Sequence, residues 1–96
     1  MNQYVIYAFD GTDEEALARR MAARSLHLDV ATQLKANHNF IVGGAMLDET
    51  GKMVGSTMIV QFETKEAFDA WFSTDPYITM NVWQKIEVHP FRVANI

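Results

Sequence analysis

Residues 39–63 read NFIVGGAMLDETGKMVGSTMIVQFE, and this stretch decides the fold. Two apolar runs, Asn39 to Leu47 and Met53 to Glu63, flank a polar break at Asp48-Glu49-Thr50-Gly51-Lys52. A Gly-bearing polar break of this length between two strand-like runs is hairpin chemistry. Side chains alternate across a strand, so Val54, Ser56, Met58, Val60 and Phe62 share one face, and Thr57, Ile59, Gln61 and Glu63 share the other. Upstream, Tyr4 to Phe9 (YVIYAF) is β-branched and aromatic on both faces and reads as a strand covered on both sides. Asp10-Gly11 closes it with turn chemistry.

A helix is expected between that strand and the hairpin. Thr12-Asp13-Glu14-Glu15 fits a capping box, with three acids to complement the positive helix end. The helical pattern runs to about Asn37, with Ser25 as the place for a break or kink. Thr64 is expected to cap a second helix through about Phe72, with Ala67, Phe68, Trp71 and Phe72 as its apolar stripe. A short helical turn follows from Pro76 to Val82, then a fourth strand from Trp83 to Val93. Pro90 near that strand's end suits an edge or a bulge. The order β-α-β-β-α-β is the ferredoxin-like plan, an α+β fold with both helices crossing one face of an antiparallel sheet. The other face then needs a second layer, because strand one is apolar on both sides. A second copy of the same sheet is the simplest supplier, so a two-fold homodimer packed sheet face to sheet face is expected.

Composition agrees with that expectation. The 96 residues are 49% hydrophobic, a high fraction for one small domain with much surface to cover. Eight Lys+Arg against twelve Asp+Glu give a formal charge of −4, which argues against nucleic acid as a partner. There is no cysteine, hence no disulfide and no thiolate metal site. No basic stretch leads into an apolar one near Met1, and the longest apolar run is far short of the roughly 20 residues of a membrane span. These features together read as a single cytoplasmic domain over residues 1–96, without a membrane partner.

Few side chains could carry chemistry. Arg20, Arg24, His27 and Ala31 follow the spacing of one helix face, and His27 also shares a face with Val30 and Leu34, which should point at the sheet. His27 reads either as a histidine at the core edge bonded to a backbone carbonyl or as a titratable group beside a guanidinium. Asp75-Pro76-Tyr77 is an N-cap followed by a proline at the first helical position. The second oxygen of Asp75 would be free to accept from an imidazole. Gly55 permits a bulge or a close backbone approach, and Ser56 places a hydroxyl on an otherwise apolar face, where it needs a partner. Gly43-Gly44 lacks the features of a phosphate loop and reads as close packing. His38 follows the expected end of the first helix, and His89 alternates with Glu87 and Phe91 on the fourth strand. Neither has a second ligand at metal spacing, so no metal and no cofactor is expected.

Several separate pieces together resemble one family, the YciI-like proteins, small bacterial domains of the dimeric α+β barrel class. The matching pieces are Tyr4-Val5-Ile6-Tyr7-Ala8, Arg24 with His27-Leu28, Gly44 with Met46, Gly55-Ser56-Thr57, Ala70-Trp71, Asp75-Pro76-Tyr77, and Val88 with Pro90-Phe91. They run in order along nearly the whole chain. The resemblance implies a dimer with facing sheets and a site beside the sheet, carried over onto His27 and Asp75 as a pair with Ser56 and Arg24 nearby. One related enzyme class removes chloride from a chlorinated hydroxyquinol. His38 and Asn81 stand where relatives commonly have helix-ending glycines, and Ala45 replaces a proline usual after the glycine.

The reading that follows is a small-molecule enzyme of lyase or isomerase type. Asp75 would fix the tautomer of His27, and His27 would move a proton on a small enolic or phenolic substrate. Arg24 would hold an anionic oxygen, and Ser56 would orient it. The alternative is a dimer that binds or senses a small ligand without turning it over, and a third is a purely structural partner protein.

Overall fold

A computed structural model describes all 96 residues. Its elements are β1 (Asn2–Asp10), α1 (Ala16–Ala36), β2 (Phe40–Leu47), β3 (Met53–Phe62), α2 (Lys65–Phe72), α3 (Pro76–Thr79) and β4 (Trp83–Phe91). The four strands form one antiparallel sheet in the order β2-β3-β1-β4. This is the ferredoxin-like arrangement expected from the element order.

The strand register explains how the core forms. Ile6 and Ala8 of β1 stand beside Met58 and Ser56 of β3, on the face that meets the helices. Ile6, Ala8 and Val60 are sealed from solvent, and Ala23 and Leu34 of α1 with Phe68 and Trp71 of α2 close over them. Burying a side chain of the size of Ile6 or Val60 contributes about 1.5–3 kcal/mol each. Phe62, Phe68 and Trp71 add an aromatic cluster with centroids 5.7–5.8 Å apart. Gly55 lies where a Cβ would come within 2.5 Å of the Ala8 carbonyl oxygen, so close backbone approach is the reason for glycine there.

The opposite face is less covered. Tyr7 and Phe9 of β1 are 40% and 39% exposed, and Val42 of β2 is 55% exposed. Strand β1 is thus covered by its own chain on one side only, and its other face is the one for which a second sheet is expected. No helix is long and apolar enough to cross a membrane.

Several boundaries differ from the sequence reading. The capping box does not form: α1 begins at Ala16, its N-cap is Glu15, and no side chain caps it. The Asp13 carboxylate is held instead by a two-point pair with Arg19, at 2.7 and 3.2 Å. Asp13 lies in a bend and Glu14 and Glu15 in a turn ahead of the helix, so the three acids precede its first turn. Helix α1 runs through Ser25 without a break. Helix α3 ends at Thr79 rather than Val82, and β4 ends at Phe91 rather than Val93. Thr64 does cap α2, accepting from the amide of Ala67 at 3.1 Å. His38 and Asn81 adopt φ of 63° and 58°, the left-handed conformation that glycine would take more cheaply. The β2–β3 loop closes as expected: the Asp48 amide donates to the Lys52 carbonyl at 2.9 Å, with Gly51 at φ 89°.

Candidate active site

A cavity of about 110 Å³ lies between α1, β2 and β3. One wall is the α1 face anticipated from spacing, since Arg20, Arg24, His27 and Ala31 all line it. Ser56 enters from β3, Tyr77 from α3, and the backbone of Gly43 and Gly44 from β2. At Gly43 a Cβ would press on Phe40 and Met58 at 3.0–3.1 Å, so packing keeps that wall bare.

His27 is 7% exposed and its Nδ1 lies 2.8 Å from Asp75 Oδ1. A carboxylate only accepts, so Nδ1 carries the proton and donates, which leaves Nε2 as the acceptor in the neutral ring. Nε2 has no partner in the chain and is not sealed off. Asp75 is 1% exposed and does two jobs. Its Oδ1 also accepts from the Tyr77 amide at 2.9 Å, which is the N-cap of α3, and its Oδ2 accepts from Trp71 Nε1 at 3.2 Å. Cap and dyad partner are therefore one residue, and the rigid start of α3 holds the carboxylate that orients the imidazole.

The second buried carboxylate, Asp10, reaches the cavity only through Arg20. Arg20 is 3% exposed, and its Nη1 donates to both oxygens of Asp10 at 3.1 and 3.2 Å. Its Nη2 donates to Ser56 Oγ at 2.9 Å, and Trp83 Nε1 donates to the same oxygen at 3.2 Å. Ser56 thus finds its partners in side chains rather than in backbone. Burial pushes the Asp10 carboxyl above the ordinary aspartate value, against the pull of Arg20.

Tyr77 joins the two pairs. Its ring stacks on the His27 imidazole at 3.8 Å and 9°, and the Arg20 guanidinium lies 4.8 Å from its centroid. It is 1% exposed, and its hydroxyl makes no hydrogen bond within the chain. Burial pushes the phenol pKa up, so it stays a donor at neutral pH.

Of the residues marked from sequence, His27 and Asp75 come together buried, and Ser56 shares their cavity. Arg24 lines the cavity too, but from the exposed side and without an ion-pair partner. His38 is exposed beyond α1, and His89 is exposed on β4, 3.4 Å from Glu87. Asp10 and Tyr77 join the site without a sequence motif that names them. The two-residue period places Asp10 on the face of Ile6 and Ala8, and that inward parity was the available signal.

The cavity surface carries donors and cations. No carboxylate lines it, because Asp10 and Asp75 both stand behind the residues they hold. Such a site favours a small ligand rich in acceptor oxygens.

Comparison with known proteins agrees with fold and residue order. The chain is 35% identical over 95 residues to protein YciI of Escherichia coli, covering 93% of this chain and 95% of that one. It is 36% identical over 95 residues to an uncharacterised protein of Haemophilus influenzae, with the same coverage. Among solved structures, the 5-chloro-2-hydroxyhydroquinone dehydrochlorinase TftG of Burkholderia phenoliruptrix, in complex with 2,5-dihydroxybenzoquinone, superposes with a TM-score of 0.80 at 23% identity, covering 96% of this chain and 95% of that one. A dimeric ferredoxin-like protein of unknown function from Jannaschia superposes with a TM-score of 0.60 at 16% identity, covering 97% of this chain and all of that one. The model of the YCII-related domain matches residues 3–92, and the chain belongs to that family.

Proposed function

We propose that the chain is a small-molecule enzyme whose His27–Asp75 pair performs acid–base chemistry on a small enolic or phenolic substrate, as a lyase or an isomerase. The observation that carries this reading is the buried 2.8 Å bond from His27 Nδ1 to Asp75, with Nε2 left unpartnered at a donor-lined cavity. Asp75 fixes the tautomer, and Nε2 takes a proton from the substrate's hydroxyl or carbon acid and returns it at another atom. Arg24, exposed at the cavity mouth, attracts an anionic group, and Ser56 orients the reacting oxygen. The cavity suits a one-ring substrate: about 110 Å³ is of the order of the roughly 150 Å³ of an enclosed cavity that binds benzene, and this one opens to solvent. The likeness to a dehydrochlorinase holding a dihydroxybenzoquinone makes hydroxylated six-membered rings the first class to try.

The test is incubation of wild type and His27→Gln with a panel of hydroxyquinols, including 5-chloro-2-hydroxyhydroquinone, and enolisable lactones and ketones, with product and chloride detection. At least one is converted by wild type, and His27→Gln loses about a hundredfold or more in rate. Saturable binding with no product from any of them would select the non-catalytic ligand-binding dimer instead.

The functional unit in this reading is a homodimer. Tyr7, Phe9 and Val42 give the helix-free face an apolar surface that a second copy of the sheet would cover. Sedimentation velocity at micromolar concentration should show the dimer, and a dominant monomer would contradict it.

A further inference from the structure

The proposed chemistry leaves open what holds the oxygen from which His27 removes a proton. Two hydroxyls in the cavity have hydrogen atoms without acceptors. Ser56 Oγ, 3% exposed, receives Arg20 Nη2 at 2.9 Å and Trp83 Nε1 at 3.2 Å. Arginine and tryptophan nitrogens here only donate, so both lone pairs of the serine oxygen are taken. Its single O–H can only point outward from those two donors, and Ser56 lines the cavity. Two N–H donors on that oxygen, one of them cationic, also polarise the O–H and make it a stronger donor. Tyr77 is 1% exposed, lines the same cavity, and its hydroxyl is unpartnered. Its ring is locked between the His27 imidazole and the Arg20 guanidinium, so the hydroxyl is fixed before any ligand arrives.

We propose that Ser56 Oγ and Tyr77 Oη form an oxyanion site that holds the substrate as its enolate or phenolate. The inference rests on the acid–base reading of His27. The substrate O–H bond breaks, its proton forms a bond to His27 Nε2, and the electron pair stays on the oxygen, where the two hydroxyls donate to it. Donors already aimed at the charge need no reorganisation when it develops. Tyr77 becomes a catalytic residue, and Arg20 and Trp83 become positioning residues that act through Ser56. The ligand class follows: a planar ring bearing an ionisable hydroxyl, bound in preference to its neutral or etherified counterpart.

The experiment uses 4-nitrophenol, whose two ionisation states absorb differently. Wild type, Tyr77→Phe and Ser56→Ala are titrated with it across pH, with 4-nitroanisole as the ring-matched ligand that cannot ionise. In wild type the bound phenol ionises at lower pH than the free phenol. Tyr77→Phe keeps the stack, the cap and the melting temperature, yet weakens phenolate binding about tenfold and shrinks the shift by about one pH unit. Its affinity for 4-nitroanisole is unchanged. Ser56→Ala shrinks the shift too, with a lower melting temperature because Arg20 and Trp83 lose their shared acceptor. A Tyr77→Phe shift equal to that of wild type overturns the oxyanion site while the His27 reading stands on its own turnover test. A wild-type protein that binds 4-nitrophenol no better than 4-nitroanisole at any pH overturns the oxyanion site together with the substrate class.

Discussion

Asp10 and Asp75 are two buried carboxylates, each behind a cationic or basic side chain of α1 that lines the same cavity. Their partners make them different. Arg20 is permanently charged and its terminal nitrogens are consumed, Nη1 by Asp10 and Nη2 by Ser56. His27 spends only Nδ1 on its carboxylate and keeps one ring nitrogen unpartnered. The same motif, a carboxylate seated behind a helix side chain, therefore builds a fixed strut at one end and, in the proposed function, a proton carrier at the other. Buried charge alone does not mark a candidate catalytic group; an unconsumed atom facing a cavity does.

The largest expected effect separates the two carboxylates by stability. Asp10→Ala leaves the Arg20 guanidinium buried without its carboxylate and should destabilise the chain by about 3–5 kcal/mol in urea unfolding. Adding Arg20→Met should recover part of that loss, since it removes the stranded charge. A loss below about 1 kcal/mol for Asp10→Ala would mean that the strut is not one.

Asp75→Asn probes the other end. Asparagine still caps α3 about as well as aspartate. Its amide, however, replaces the Oδ2 that Trp71 Nε1 needs, so about 1–3 kcal/mol of stability is lost. On a substrate found in the panel, the rate falls about a hundredfold, measured under conditions where the variant is folded. If turnover survived while stability fell as far as in Asp10→Ala, the two ends would be alike and both structural.

The smallest effect is a difference in pH trend. The folded chain holds the Asp10 proton more tightly than the unfolded chain does, because burial raises its pKa. Protonation there adds stability as pH falls from the raised folded value through the ordinary aspartate range. Asp48, on the exposed hairpin loop, accepts from Thr50 Oγ1 at 2.7 Å and from the Thr50 and Lys52 amides, and its pKa is lowered. Its contribution is present above the ordinary range and is lost as pH falls through its lowered value. Wild type should therefore gain on Asp10→Asn, and lose its advantage over Asp48→Asn, as thermal melts are taken from neutral pH down. Parallel trends in the two comparisons would contradict the assigned causes.

What was legible in the sequence divides along the same line. The hairpin at Asp48–Lys52, the α2 cap at Thr64 and the turns at His38 and Asn81 depend on neighbours a few residues apart, and local chemistry predicts them. The α1 face of Arg20, Arg24, His27 and Ala31 was visible from helical spacing, and it does line the cavity. The pairing of Arg20 with Asp10 and Ser56 was not, because it joins residues 10 and 36 positions apart across the sheet. Even local signals can be overridden: the capping box at Thr12 gave way when Asp13 found Arg19 six residues on. The stack of Tyr77 on His27 leaves no trace in spacing, since the sequence carries only the cap that brings α3 there.

Nitrogen NMR reads the protonation of the two His27 ring nitrogens themselves, in wild type with and without 4-nitrophenol. The expected result is a ring protonated at Nδ1 and held there by Asp75, with Nε2 bare in the neutral form and shifting strongly when the phenol binds. A ring protonated at Nε2 in the neutral form, or one whose nitrogen signals ignore a saturating phenol, would contradict it.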